Sequence, residues 1–239
     1  MAQKEIHYRD STLRIAYAII DNGADKNMLF LHGWGSNKEL MRIAFGNCFT
    51  DFNHIYIDLP HFGASEGKIF LDTYKYAEVI EQFLIRVTVN RRLGCDVVVG
   101  HSFGGKIALL LQREIILLSS AGILLPKPFI VRVKILLAKF AKTLGIKANF
   151  LKADDAKELS PITYEIFKCV VREDFMREYA SFTQKATIFW GREDKATPLK
   201  AFRIIQSLMP NADFYVLEGD HYFFLQQGQE VERLYRHGC

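Results

Sequence analysis

The stretch Asp96-Val-Val-Val-Gly100-His101-Ser102-Phe103-Gly104-Gly105 constrains this chain more than any other. An apolar, β-branched run that reads as a strand meets Lys106-Ile-Ala-Leu-Leu-Leu-Gln112, which reads as a helix. The chain therefore reverses from strand to helix at one residue, and that residue is a serine. Such a turn pushes the Ser102 hydroxyl beyond the sheet edge, and Gly100 and Gly104 are the residues whose missing Cβ lets strand and helix close on each other. The N–H of Phe103 then sits at a helix N-terminus, where developing negative charge is favoured. Ser102 is the candidate nucleophile.

With 239 residues the chain can bury a sizeable core, and one domain with an insertion fits better than two separate ones. No apolar run approaches the roughly 18–20 residues that span a bilayer. The best candidate, Ile115 to Leu125, is interrupted by Ser119, Ser120 and Gly122. Met-Ala-Gln-Lys-Glu-Ile-His lacks the apolar centre of an export signal. The four cysteines (Cys48, Cys95, Cys169, Cys239) are scattered without metal-ligand spacing, the usage of reduced thiols in a cytoplasmic protein. The formal net charge of +4 is localised: seven cations, Lys127 to Lys152, fall between Ile123 and Ala153 with no Asp or Glu among them.

Strand-like and helix-like runs alternate, the pattern of an α/β fold with a mainly parallel sheet. Strands are expected at Leu13–Ile20, Met28–Leu31, His54–Asp58, Asp96–Gly100, Glu114–Ser119, Ala186–Trp190 and Asp213–Leu217. Helices are expected near 37–48, 73–90, 103–112, 199–208 and 227–236. The alternation fails between Gly122 and Ala180, where the pattern is helical throughout. Residues 1–122 and 181–239 thus form the core, and 123–180 a helical insertion over the strand ends. Phe129 to Leu144 within it is amphipathic, with apolar residues on one side and Arg132, Lys134, Lys139 and Lys142 on the other.

A serine hydroxyl is a poor nucleophile unless a base takes its proton and a further group orients that base. Of the seven histidines, His221 leaves the last expected strand in a loop late in the chain, which makes it the candidate base. His7 and His54 read as surface or strand-edge residues, and His237 as part of a loose tail. The orienting carboxylate should also leave a strand between serine and histidine in chain order. Asp194, in the turn before Thr197-Pro198, is preferred over Glu193. A second oxyanion donor beside Phe103 N–H is expected from the glycine-rich turn His32-Gly33-Trp34-Gly35, where the N–H of Trp34 is the natural choice. His32 reads as a residue that fixes this loop.

Taken together, these residues resemble the α/β-hydrolase superfamily over nearly the whole chain. The resemblance lies in the His-Gly-x-Gly turn at 32–35, Asp58-Leu-Pro60-His61-Phe-Gly63-Ala-Ser65, the elbow at 100–104, Gly191-Arg-Glu-Asp194 and Glu218-Gly-Asp-His221. It implies an eight-stranded, mostly parallel sheet whose first hairpin is antiparallel, and a helical lid where the basic insertion falls. It also implies Ser-His-Asp acyl transfer with no metal or organic cofactor. His61 and Asp220 stand where the family often has glycine, and the link from the nucleophile helix to the next strand is unusually short.

A serine at the elbow argues against the dehalogenase and epoxide-hydrolase branches, which use a carboxylate there. The marks of carbon–carbon hydrolases of dienoates, a Pro-Gly after the oxyanion turn and a Trp after the histidine, are replaced by Ser36-Asn37 and Tyr222-Phe. The expectation is hydrolysis of a carboxylic ester or thioester of a small or medium acyl substrate, with carbon–carbon cleavage as the alternative. A non-catalytic binding protein on the same scaffold is the reading from another class. The basic insertion reads first as a solvated helix face, second as a surface for an acidic partner such as an acyl carrier protein, and third as a weak docking site for an anionic membrane surface. Nucleic-acid binding and integral membrane association are not expected.

Overall fold

The computed structural model describes residues 2–89, 92–125 and 160–238. Its centre is an eight-stranded sheet. The strands are β1 (Ala2–Tyr8), β2 (Ser11–Ile20), β3 (Lys26–Leu31), β4 (Phe52–Ile57), β5 (Val97–His101), β6 (Glu114–Leu118), β7 (Ala186–Gly191) and β8 (Asp213–Leu217). Their spatial order is β1-β2-β4-β3-β5-β6-β7-β8. β1 pairs antiparallel with β2, and β2 antiparallel with β4; every other pairing is parallel. This is the mostly parallel sheet with an antiparallel first hairpin that the resemblance implied.

Strands covered on both faces need apolar residues at every position, and the pleat then sends alternate residues to opposite layers. In β3 and β5, Leu29, Leu31 and Val98 join one layer with Tyr76, Ile80 and Phe83 of α2 (Thr73–Leu84) and Ile107 of α3 (Phe103–Leu110). Met28, Phe30, Val97 and Val99 join the other, built with Leu40, Met41 and Phe45 of α1 (Lys38–Phe45). β1 escaped the sequence pattern because it is an edge strand: of its residues only Ile6 and Tyr8 are buried, the rest being polar or small. His7 is exposed on that edge, as expected. His54 is not: it is fully buried in β4, with Nε2 within 3.0 Å of the Phe49 carbonyl.

Beyond Leu125 the description resumes at Ser160. There α4 (Pro161–Val170) and α5 (Met176–Ser181) bear out helical character for the end of the insertion. The amphipathic helix expected over 129–144 and the cations Lys127 to Lys152 lie outside the described residues. The chain ends with α6 (Leu199–Leu208) and α7 (Phe224–His237). α7 begins earlier than expected because one turn precedes a kink at Gln227 (φ −126°, ψ 25°), and it carries His237 as its last residue rather than in a loose tail. α2 stops at Leu84, well short of 90, because Thr88–Val89 turns extended and pairs with Arg92–Leu93. The contracted link after α3 is made by Gln112 in the left-handed region (φ 51°). Arg113 follows at once and pairs with Glu81 of α2 through Nη2–Oε2 at 2.8 Å.

One buried ion pair holds the loops next to the sheet centre. Asp58, at the end of β4, accepts from Lys38 N and Lys38 Nζ, each at 2.7 Å, and from Ala64 N at 2.9 Å. Both side chains are almost wholly buried. The pair ties the start of α1, and hence the turn before it, to the 58–65 loop. Removing one partner of such a pair strands a buried charge, whereas an exposed pair contributes little. Asp58→Ala is expected to lower unfolding free energy by about 3–5 kcal/mol. Glu66→Ala, which breaks the exposed Arg14–Glu66 pair, should cost less than about 1 kcal/mol. Urea titrations of both variants check this contrast.

Candidate active site

Ser102 joins β5 to α3 with φ 51° and ψ −109°, a conformation that a non-glycine residue adopts only when its surroundings impose it. Its N–H donates to the Leu118 carbonyl (3.1 Å), and its own carbonyl accepts from Gly105 N (3.1 Å) and Ala121 N (3.0 Å). The strand end and helix start lie so close that a Cβ on Gly100 would sit 2.6 Å from the Gly104 carbonyl oxygen. One on Gly104 would sit 2.5 Å from that of Leu31. The turn after β3 approaches as closely: a Cβ on Gly33 would meet the Ser102 Cβ at 3.2 Å. Trp34 and Phe103, the expected oxyanion donors, line the same cavity as Ser102. Phe103 opens α3, where the first N–H groups have no intrahelical carbonyl. The Trp34 indole packs against the Phe62, Phe103 and Phe167 rings at 4.8–5.5 Å.

His221 follows β8, and its Nδ1 lies 2.8 Å from Asp194 Oδ2. Asp194 also accepts from Ala196 N (2.7 Å), Thr197 N (2.8 Å) and Thr197 Oγ1 (2.6 Å). Burial alone would raise its pKa; the His221 imidazole and the Thr197 hydrogen bonds outweigh that and hold the carboxyl below its ordinary value. Asp194 is thus both a turn-forming residue and the partner of His221. Asp220 forms the turn beside His221, accepting from Tyr222 N at 2.8 Å.

Two residues beside His221 were given no role by the sequence. Thr197 read only as a helix opener; its Oγ1 braces Asp194 and lies 3.3 Å from His221 Nδ1. The spacing of three after Asp194 was the available signal, since an Asp side chain readily bonds backbone donors two and three residues on. His101 donates from Nε2 to the His221 carbonyl at 3.1 Å, and the two rings lie 4.7 Å apart. Burial, and then the neighbouring His221, push its pKa well below the ordinary histidine value.

His32 fixes the loop, as its position suggested. Its Nδ1–H donates to the Gly33 carbonyl at 2.7 Å and its Nε2 accepts from Leu59 N at 2.9 Å. His61 contacts Tyr76 Oη through Nδ1 at 3.0 Å.

Ser102 and His221 line one cavity of about 70 Å³, with Trp34, Phe103, Ile123, Phe167 and Val170 supplying apolar wall. Among the described residues no hydrogen bond joins Ser102 Oγ to the imidazole. Nor does any group of three His, Cys, Asp or Glu side chains there sit where it could hold a metal ion. No described helix is long and apolar enough to cross a membrane.

The model of the alpha/beta hydrolase family matches residues 28–234, and the chain belongs to that family. It is 24% identical over 238 residues to the uncharacterized hydrolase YugF of Bacillus subtilis, covering 86% of each chain. It is 27% identical over 195 residues to the pimeloyl-[acyl-carrier protein] methyl ester esterase of Cronobacter sakazakii, covering 81% of this chain and 63% of that relative. The fold matches that of an esterase from Exiguobacterium antarcticum with a TM-score of 0.76, over 99% of both chains at 17% identity. The chain is therefore a hydrolase with esterase-like relatives.

Burial lowers the His32 pKa from its ordinary 6.5 to about 4. Between those values the unfolded chain binds more protons than the folded one. The histidine's contribution to stability is complete above pH 6.5 and is lost as pH falls toward 4. The urea midpoint should fall across this window, with at most about 1.4 kcal/mol per pH unit from each such histidine. His32→Gln should flatten the slope; an unchanged slope would show that His32 does not couple folding to protons.

Proposed function

We propose that this chain is a serine hydrolase that cleaves a carboxylic ester or thioester of a small or medium acyl substrate through an acyl-enzyme on Ser102. The observation that carries the reading is the Asp194–His221 pair at 2.8 Å, whose His221 lines the same cavity as Ser102. In this mechanism His221 Nε2 takes the Ser102 proton as Oγ attacks the acyl carbon, and the carbonyl π electrons move onto oxygen. The N–H groups of Phe103 and Trp34 stabilise that oxyanion. Asp194, anchored by Thr197 and Ala196, keeps Nδ1–H directed at itself and stabilises the imidazolium. The tetrahedral species collapses, the leaving oxygen or sulfur takes the His221 proton, and water activated by the same imidazole releases the acid. His101, neutral beside the base, adds no charge to oppose the imidazolium.

Residues 123–180 act in this reading as a helical lid on the core of 1–122 and 181–239, in a protein working in the cytoplasm. The three described cysteines, Cys48, Cys95 and Cys169, are free thiols, which suits that compartment. A preference for esters over carbon–carbon bonds draws support from the esterase names among the relatives. A second reading is that the acyl group arrives on an acidic carrier protein. It rests on the name of the C. sakazakii relative and on the cations of 127–152. Loss of kcat/KM with rising salt on a carrier-bound acyl ester, but not on a free one, is its test.

Ser102→Ala should lower kcat on p-nitrophenyl butyrate by at least about 10³-fold with the fold intact, and Asp194→Asn by a comparable factor. A fluorophosphonate probe should label the wild-type chain and not Ser102→Ala. Full activity in Ser102→Ala would overturn the assignment. An unlabelled, inactive wild type would favour a binding protein on this scaffold.

A further inference from the structure

The elbow helix carries a cation that the proposed mechanism does not use. Lys106 lies one helical turn beyond Ser102, and only 1% of it is exposed. Its ammonium donates to the Val170 carbonyl at 2.7 Å and to Glu173 Oε2 at 2.6 Å, and lies 4.4 Å from the centre of the Phe175 ring. All three contacts come from the segment 170–175 that joins α4 to α5. The Val170 carbonyl is at the C-terminal end of α4, where a cation is favoured by the helix dipole.

The same segment walls the cavity. Lys106, Val170, Val171 and Glu173 all line it beside Ser102. Phe175 N donates to the Gly122 carbonyl at 2.8 Å, and Tyr179 Oη of α5 donates to the Ala121 carbonyl at 2.7 Å, so the lining at 121–122 is tied to this segment and the helix that follows it. Glu173 reaches outward as well, accepting from Thr73 N (3.2 Å) and Thr73 Oγ1 at the start of α2. Burial lowers the Lys106 pKa, with Glu173 opposing. At Glu173 burial raises the pKa, but Lys106 and Thr73 outweigh it, so its carboxyl is held below the ordinary value.

A buried ion pair of this kind is poorly explained by stability, because apolar residues of similar volume hold such a site as well or better. What it supplies is a directional fixing of one segment against another. We propose that Lys106 is a specificity-determining residue: by pinning residues 170–175 to the helix that carries Ser102, it fixes the cavity wall and so limits the size of the acyl group admitted. With two of its N–H groups held by Val170 and Glu173 and its charge set over Phe175, Lys106 acts through the wall that it pins. The wall it fixes lies beside Ser102 in the cavity, and a released wall would admit a longer acyl chain.

This rests on the esterase reading for its kinetic readout, and a second readout is independent of it. Wild type, Lys106→Met and the double variant Lys106→Met with Glu173→Gln are compared on p-nitrophenyl acetate, butyrate and octanoate. Amide hydrogen exchange of the 161–175 peptides is followed alongside that of α7. In Lys106→Met the ratio of kcat/KM for butyrate over octanoate should fall by about tenfold or more, with faster exchange in 161–175 and none in α7. The double variant should recover the urea midpoint lost by the single one while keeping the relaxed selectivity, since no buried charge is stranded. Unchanged selectivity in both variants, or selectivity restored together with stability in the double variant, would overturn the proposal. So would unchanged exchange in 161–175. A wild type without Ser102-dependent esterase activity would refute the esterase reading instead, and the exchange comparison alone would then decide whether Lys106 pins this segment.

Discussion

The contact between the start of α3 and the end of β3 sets the geometry on which the rest of this molecule depends. Gly104 is held against the Leu31 carbonyl at a separation that no Cβ could occupy. Because β3 and β5 are neighbours at the centre of the sheet, that approach fixes where the elbow projects. It also brings the 33–37 turn against the serine. The unfavourable backbone of Ser102 is maintained from three sides, by hydrogen bonds to Leu118, Gly105 and Ala121. Strain of this kind persists only where the surroundings over-determine it.

Around that centre, carboxylates are buried with partners that tie separate parts of the chain together. Lys38 and Asp58 secure the turn before α1, Asp194 and His221 join the loops after β7 and β8, and Lys106 and Glu173 hold the α4–α5 connection. In every case the carboxylate takes further donors from backbone or a threonine, which offsets the cost of its burial. The histidines packed between these pairs, His32 and His101, are kept neutral by burial. They serve as fixed donors and acceptors rather than as additional charges.

Much of this was legible in the chain because local chemistry and global position agree. Continuous apolar runs marked the central strands, and glycines at fixed offsets marked the elbow and the turn at 32–35. Asp194 and His221 stood out because each follows a strand-like run in the required order, and the structure brings them into contact. Where position is decided by distant chain, the pattern gave no signal. β1 has only two buried residues and is defined by backbone pairing with β2. His54 is indistinguishable in sequence from a strand-edge histidine until the Phe49 carbonyl is found beside it. Nothing in the sequence sets Lys106 apart, because Val170, Glu173 and Phe175 lie more than sixty residues away in the chain.

The contracted link after α3 has a mechanical consequence. At one end the helix is wedged against Leu31 through Gly104; at the other, Gln112 reverses the chain at once and Arg113 is clamped to Glu81. A beam anchored at both ends transmits little displacement. Whatever the chain between α3's neighbours does when a substrate enters, the platform beneath Ser102 has no slack with which to follow.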